Sequence, residues 1–276
     1  MTPSETDQGW QRGACLVNQL QIHFWRSGGT KPPLVALHGL MGSGGCLLPM
    51  ARMLDGYDVI LLDARGHGAS SAPAYGYAYD DLAGDAVGLL GALALEAPVL
   101  VGHSMGGLTA ALAARALSSN LAALVLIDPT FIGPARQREV FESDVAAEHR
   151  KSLDSSRESL LAAARKRHPA RSAELIEYLV DARLRTSPNV FEVLTPPNPE
   201  WRALVRELCV PSLLLIGERG VVSPETAGEL QATNPLLSIE HLSGAGHGMP
   251  YDAPERVASA VSAFLASLRA SYPVLA

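Results

Sequence analysis

Five short runs of uninterrupted apolar residues, rich in Val, Leu and Ile, most constrain the fold of this chain. Because they do not alternate with polar residues, each predicts a strand that is buried on both faces. Stretches of helical character separate the runs. This order predicts a mostly parallel sheet with helices on both faces, the α/β class. The runs are 33–38, 58–63, 98–103, 122–128 and 211–217.

The segments between and after these runs predict the helices and two further strands. Helices are expected at 44–54, 77–95, 105–117, 224–233 and 254–268, and Pro224 and Pro254 stand where a helix accepts proline in its first turn. Residues 19–25 alternate between apolar and polar, which predicts an antiparallel strand at the sheet edge. A last strand is expected at 238–242, before the final helix.

Residues 131–208 interrupt the alternation of strands and helices. This segment holds 13 of the 22 Lys and Arg residues and 12 of the 28 Asp and Glu residues. Such a composition is typical of surface helices. We therefore expect one α/β core domain, formed by residues 1–130 and 209–276, with a helical cap or lid inserted at 131–208.

Composition and charge exclude several classes of protein. A net charge of −6 argues against a surface that binds nucleic acid or an anionic membrane. No apolar run approaches the roughly 18 residues of a membrane span, and residues 1–12 are too polar for a signal peptide. Cys15, Cys46 and Cys209 lack metal-ligand spacing. We expect a cytoplasmic protein with free thiols and without a nucleic-acid or membrane partner; its oligomeric state is left open.

Chemically useful side chains follow the predicted strands at their carboxyl ends. In an open parallel sheet these ends share one edge, and ligands bind outside it. The sequence therefore places the candidate site at this edge. The residues are His38, Asp63, His103, Ser104, Asp128 and Glu218.

The stretch Gly-His-Ser-Met-Gly at 102–106 is the most specific signal in the chain. It matches G-x-S-x-G between a predicted strand and a predicted helix, the context of a nucleophile elbow. The alternative is an ordinary glycine-rich loop in which Ser104 caps the helix. The strand–turn–helix context favours a nucleophilic Ser104.

A nucleophilic serine needs a base to take its proton and a group to orient that base. His247 lies in a glycine-flanked loop, Gly-Ala-Gly-His-Gly at 244–248, after the last predicted strand. This late position fits the chain order serine, acid, histidine. The alternative is a loop histidine that only binds backbone. We favour His247 as the base.

Four motifs in this order make the chain resemble the α/β-hydrolase fold family over about residues 15–270. They are His38-Gly39-Leu40, the stretch 63–70 (Asp-Ala-Arg-Gly-His-Gly-Ala-Ser), the elbow at Ser104, and the loop of His247. The resemblance implies a serine hydrolase that needs no cofactor or metal. It also implies that the amides of Leu40 and Met105 form an oxyanion hole.

The acid departs from the usual family pattern. Most members carry an aspartate three residues after the glycine that closes the later strand, and here that slot is Gly220. Asp128 ends the strand after the elbow helix. Some branches place the acid there, including lactonases similar to the zearalenone-degrading enzymes and cofactor-free dioxygenases. We choose Asp128, with Glu218 as the alternative acid and a site without an acid as the third possibility.

These residues predict a hydrolase of an apolar carboxylic ester or lactone, with an acyl-enzyme at Ser104, His247 as base and Asp128 as orienting acid. Phe131, Phe141 and Phe191 lie in the charged insert and are expected to line an apolar substrate pocket. Other activities of the same fold stay open: C–C bond hydrolysis, cofactor-free dioxygenation, and a catalytically silent ligand receptor.

Two ligand sites of other kinds are disfavoured. Residues 42–47 partly match the G-x-G-x-x-G of dinucleotide sites, with Asp63 downstream, but Leu47 replaces the third glycine. A metal site could use the residues of the sheet edge. No ligand spacing supports it.

Overall fold

The computed structural model describes residues 9–271, in which eight strands form a single sheet. The strands are β1 (Gln11–Val17), β2 (Leu20–Arg26), β3 (Pro33–Leu37), β4 (Asp58–Leu62), β5 (Val99–His103), β6 (Ala123–Ile127), β7 (Ser212–Arg219) and β8 (Leu237–Gly246). Their order is β1-β2-β4-β3-β5-β6-β7-β8, and the pairs from β4 to β8 are all parallel. The predicted α/β class is confirmed, and the five apolar runs are β3 to β7.

The apolar runs are continuous because both faces of the sheet are covered. In β3, Val35 and Leu37 pack into one hydrophobic cluster, whereas Leu34 and Ala36 pack into a second cluster on the opposite face. All four side chains are almost fully buried. A strand that serves two cores keeps no polar face, which is why its sequence does not alternate.

Eleven α-helices are described in residues 9–271, and those outside the insert include four of the five predicted ones. They are α1 (Leu48–Ala51), α2 (Tyr79–Ala92), α3 (Met105–Leu117), α4 (Pro134–Phe141), α5 (Val145–Leu153), α6 (Arg157–Arg167), α7 (Ala173–Leu184), α8 (Trp201–Glu207), α9 (Pro224–Thr233), α10 (Met249–Asp252) and α11 (Pro254–Ser271). The segment predicted as a helix at 44–54 is instead a 3₁₀ turn, Gly44–Leu47, followed by the short α1. All of its apolar residues except Met53 are buried, so the sequence shows no polar face whose spacing would specify the type of helix.

The amino-terminal hairpin corrects the expectation for residues 19–25. β2 is antiparallel, as predicted, but it pairs with both β1 and β4, so β1 is the edge strand. β1 gives a weak sequence signal because only Val17 of its seven residues is buried. Most of the polar segment 1–12 lies outside the described residues.

Five helices, α4 to α8, occupy the chain between β6 and β7. The ring of Phe131 stacks on that of Trp201 at 5.3 Å, joining the two ends of the segment, and Arg157 pairs with Asp181 at 2.6 Å between α6 and α7. None of the helices in residues 9–271 is both long enough and apolar enough to cross a membrane.

Candidate active site

Ser104 stands in a sharp turn between β5 and α3. Its backbone has φ +56° and ψ −119°, a conformation that residues with a side chain rarely adopt. Hydrogen bonds from Ser104 N to the carbonyl of Ile127 (3.1 Å) and from Thr130 N to the carbonyl of Ser104 (3.1 Å) hold the turn. The strained turn raises the hydroxyl above the carboxyl edge of the sheet.

The glycines on either side of Ser104 are required by close backbone contacts. A Cβ on Gly102 would overlap the carbonyl of Gly106, and a Cβ on Gly106 would overlap the carbonyl of Leu37. Because backbone atoms cannot move aside as a side chain can, the turn needs both glycines. This is the physical reason for the pattern G-x-S-x-G.

Ser104, His247 and Asp128 form a hydrogen-bonded chain. His247 Nε2 lies 3.0 Å from Ser104 Oγ, and His247 Nδ1 lies 2.6 Å from Asp128 Oδ2. With Nδ1–H donating to the carboxylate, Nε2 is left to accept the serine proton. The structure thus brings together the three residues predicted as nucleophile, base and acid.

The carboxylate of Asp128 is fully buried and held by backbone amides of the loop after β7. Val221 N donates to it at 2.8 Å and Val222 N at 3.0 Å. These amides and His247 account for both carboxylate oxygens. Sequence reasoning did not find Val221 and Val222, because an amide donor carries no mark in the residue type.

Glu218, the alternative acid, is not part of this arrangement. It is an exposed residue at the end of β7, and the hydrogen bond to His247 Nδ1 is made by Asp128. Gly220, in the slot of the usual family aspartate, faces the Asp128 carboxylate instead. Of the two candidate acids, the structure brings Asp128 to the histidine.

His103, next to Ser104, supports the loop of His247. Its Nε2–H donates to the carbonyl oxygen of His247 at 2.8 Å. Burial, together with the neighbouring His247, lowers the pKa of His103 to about 4. A neutral His103 therefore holds the backbone of His247 in place.

The other polar residues at the sheet edge bind backbone. His38 Nε2 accepts from Ala64 N at 3.1 Å, and His67 Nδ1 donates to the carbonyl of Arg65 at 2.9 Å. Asp63 accepts from Gly44 N at 2.7 Å, so the carboxylate required by a dinucleotide site is already engaged. Within residues 9–271 no group of three or more His, Cys, Asp or Glu could hold a metal ion.

A cavity of about 450 Å³ opens over the hydroxyl of Ser104. Leu40 and Met105, predicted to supply oxyanion-hole amides, both line it. Met105 opens α3, where first-turn amides have no acceptor within the helix. The rest of the lining is made of aliphatic, aromatic and polar residues, namely Tyr79, Thr130, Ile132, Arg136, Gln137, Val140, Val193, Leu194, Asn198, Gly220, Val221 and His247.

The expectation that Phe131, Phe141 and Phe191 line this cavity is wrong, since none of them is among its lining residues. Phe131 is buried against Trp201, and Phe191 is buried beside Tyr77 and Val190. Phe141 is 49% exposed on α4. The aromatic rings pack the insert, and smaller aliphatic side chains of the same segment face the cavity.

A family model described as "Alpha/beta hydrolase family" matches residues 34–260, most of the chain. The chain belongs to this family. Its residues 34–260 span the sheet from β3, the elbow, the insert and the loop of His247. The resemblance drawn from the four motifs is therefore confirmed.

Two curated relatives align with more than four fifths of this α/β hydrolase. It is 29% identical to N-formylmaleamate deformylase of Pseudomonas putida over 249 residues, 87% of this chain and 91% of that protein. It is 30% identical to esterase YbfF of Escherichia coli over 242 residues, 84% of this chain and 92% of that protein. The relatives are hydrolases of more than one bond type.

The fold also matches solved structures. The crystal structure of E-2-(acetamidomethylene)succinate hydrolase superposes with a TM-score of 0.79, covering 93% of this chain and 99% of that one, at 23% identity. At that identity the likeness shows the fold alone. Because the superposition covers 93% of this chain, the shared fold includes most of the insert as well as most of the core.

Proposed function

We propose that this α/β hydrolase cleaves apolar carboxylic esters or lactones through an acyl-enzyme at Ser104. The observation that supports this most strongly is the chain of hydrogen bonds from Ser104 Oγ through His247 to the buried Asp128, at 3.0 and 2.6 Å. This is the geometry that makes a serine hydroxyl a nucleophile.

In the proposed reaction, Ser104 Oγ attacks the carbonyl carbon while His247 Nε2 takes the hydroxyl proton. The charge on the former carbonyl oxygen is stabilised by the amides of Leu40 and Met105. When the C–O bond breaks, His247 returns the proton to the departing alcohol. Water then attacks the acyl-enzyme with His247 again as base, releasing the acid and restoring Ser104.

The cavity over Ser104 supports a small apolar substrate. Its volume of about 450 Å³ lies within the range of small-ligand sites, and much of its lining is aliphatic. Ile132, Val140, Val193 and Leu194 all come from the segment 131–208. We therefore propose that 131–208 acts as a cap on a core of 1–130 and 209–276, and that the cap selects the substrate.

Amide hydrolysis is the second candidate, because one relative of similar length is named a deformylase that acts on N-formylmaleamate. The same residues could cleave a C–N bond if His247 protonates the leaving nitrogen. Esters and amides with the same acyl group separate the two functions. A higher kcat/KM for the amide would favour the second.

Hydrolysis of p-nitrophenyl butyrate by wild type and Ser104→Ala tests the proposal. We expect the substitution to lower kcat by about 10⁴-fold or more. Ser118→Ala is the matched control, since Ser118, at the other end of α3, has nearly the same backbone angles (φ +49°, ψ −120°). Equal activity of wild type and Ser104→Ala would contradict the proposal.

A further inference from the structure

A second cavity, of about 380 Å³, lies on the other side of Leu40 from Ser104. Its walls come from α6, α7, the loop after β3, and Tyr251. Four basic residues line it, Arg167, His168, Arg171 and Arg183, and no carboxylate is among the lining residues. We call it the arginine cavity.

Arg183 carries a charge that no salt bridge balances within residues 9–271. Its guanidinium is half-buried, and within residues 9–271 it takes part in no salt bridge. Burial lowers its pKa, and the positive charge of Arg167 lowers it further. The negative charge of Glu148, at an exposed position on α5, acts in the opposite direction, but no salt bridge joins it to Arg183. An anion in the cavity would relieve this imbalance.

The other arginines of the insert that have no salt bridge in residues 9–271 are all exposed, namely Arg138, Arg150, Arg167, Arg185 and Arg206, and the remaining ones are paired. Arg157 binds Asp181 at 2.6 Å, and Arg202 binds Glu229 at 2.6 Å. Arg171, in the arginine cavity, is paired with Asp252 at 2.7 Å. A guanidinium left unpaired and half-buried is costly for folding alone, so the contrast points to a ligand for Arg183.

The arginine cavity is next to the proposed site of reaction. Leu40 lines both cavities, and Nη2 of Arg183 lies 3.6 Å from the sulfur of Met41, the residue after Leu40. A substrate whose reacting carbonyl sits at Ser104 would pass Leu40 to reach the guanidinium of Arg183. The two cavities are therefore neighbours, and we take them as the sites of the two ends of one molecule.

We propose that the arginine cavity binds a carboxylate at the far end of the substrate, so that the preferred substrates are half-esters of dicarboxylic acids. This inference rests on the proposed ester hydrolysis at Ser104 and narrows its substrates to esters whose chain is apolar near Ser104 and carries a carboxylate at its far end. The forked donors of a guanidinium match a carboxylate, and such charge-assisted hydrogen bonds are among the stronger ones in proteins.

The test compares p-nitrophenyl half-esters of adipate and suberate with the same compounds whose free carboxylate is methylated. For wild type we expect kcat/KM to be at least about tenfold higher for the charged member of at least one pair. Arg183→Gln should lower this ratio about tenfold to a hundredfold, mainly through KM. Arg183→Lys should keep more of the ratio than Arg183→Gln.

Arg185→Gln is the matched control, because Arg185 is an exposed neighbour that does not line the arginine cavity. It should leave the ratio unchanged. If Arg183→Gln does not fold, Arg167→Gln, at an exposed position, carries the test and should lower the ratio in the same direction. A ratio near one in wild type, or one that these substitutions leave unchanged, would overturn the arginine cavity as a carboxylate site.

The two proposals fail in different ways. Turnover of both esters by Ser104→Ala at the wild-type rate would contradict the serine hydrolase itself. Loss of turnover in Ser104→Ala, with no preference for the charged ester in wild type, would contradict the carboxylate site alone.

Discussion

Gly220 faces the carboxylate of Asp128 so closely that a Cβ on Gly220 would lie 2.7 Å from Asp128 Oδ1. The slot that carries the acid in most of the family is therefore the space into which Asp128 extends from β6. Asp128 can take this position only because residue 220 is glycine: a side chain at 220 would occupy the place of the Asp128 carboxylate.

Gly220→Ala should displace the Asp128 carboxylate and lower kcat about tenfold to a hundredfold, since misplacement of a catalytic group by about 1 Å has effects of this size. Gly228→Ala is the matched control, because a Cβ there meets no atom within 4 Å. Steady-state kinetics on p-nitrophenyl butyrate measures both. Wild-type turnover in Gly220→Ala would show that the contact is not critical.

Asp128→Asn should lower kcat by about 10⁴-fold with little loss of stability. The amide oxygen can still accept from Val221 N and Val222 N, which now donate to Oδ1 at 2.9 and 3.0 Å. The amide nitrogen, however, would face His247 Nδ1 and favour the wrong tautomer. Glu218→Gln, at an exposed position, should retain full activity; the opposite pattern would assign the acid to Glu218.

Low pH should destabilise the folded protein, because two of its histidines are buried in their neutral form. Burial lowers the pKa of His67 to about 3 and that of His103 to about 4, from an ordinary value of 6.5. Below pH 6.5 the unfolded chain binds protons that the folded chain does not. The free energy of unfolding should therefore fall as pH decreases from about 6.5 to 4, by up to about 1.4 kcal/mol per pH unit for each such histidine.

Urea unfolding at several pH values measures this slope. His67→Gln should lower the slope by about one proton, whereas His241→Gln, at an exposed position on β8, is the control. A free energy of unfolding that stays constant between pH 6.5 and 4 would contradict the account.

Asp85→Ala should destabilise the protein by about 3–5 kcal/mol, because it removes the buried carboxylate paired with Arg65 and leaves the more distant Asp81, at 3.8 Å, as its carboxylate partner. Asp85 accepts two hydrogen bonds of 2.6 Å from Arg65, and the two side chains are only 2% and 8% exposed. Chemical denaturation of wild type and Asp85→Ala measures this change in the free energy of unfolding. Removing Glu139, whose ion pair with Arg136 lies on the surface, should cost less than about 1 kcal/mol.

The central sheet could be predicted from sequence because burial on both faces leaves continuous apolar runs. The hairpin strand β1 was missed for the opposite reason, since one buried residue among seven gives too little periodic signal. The packing of side chains inside the insert could not be predicted either. It holds three of the five phenylalanines, but sequence alone does not say whether a ring faces a cavity or packs on another ring, as Phe131 packs on Trp201.

In the site, side chains were easier to predict than backbone contacts. Ser104 and His247 stand in glycine-rich loops whose residue types are unusual enough to be recognised. The choice between Asp128 and Glu218 depended on which carboxylate reaches Nδ1 of His247, a distance that requires the register of β6 against β7. The half-buried charge of Arg183 likewise emerges only when α7 is packed beside the loop of Met41.

Labelling with a fluorophosphonate, followed by peptide mass spectrometry, tests the central claim most directly, because this reagent reacts with activated serines. We expect wild type to carry one adduct, on the peptide that contains Ser104. Asp128→Asn should react much more slowly, and Ser104→Ala should not react. A well-folded wild type that is not labelled, or an adduct that persists in Ser104→Ala, would contradict the account.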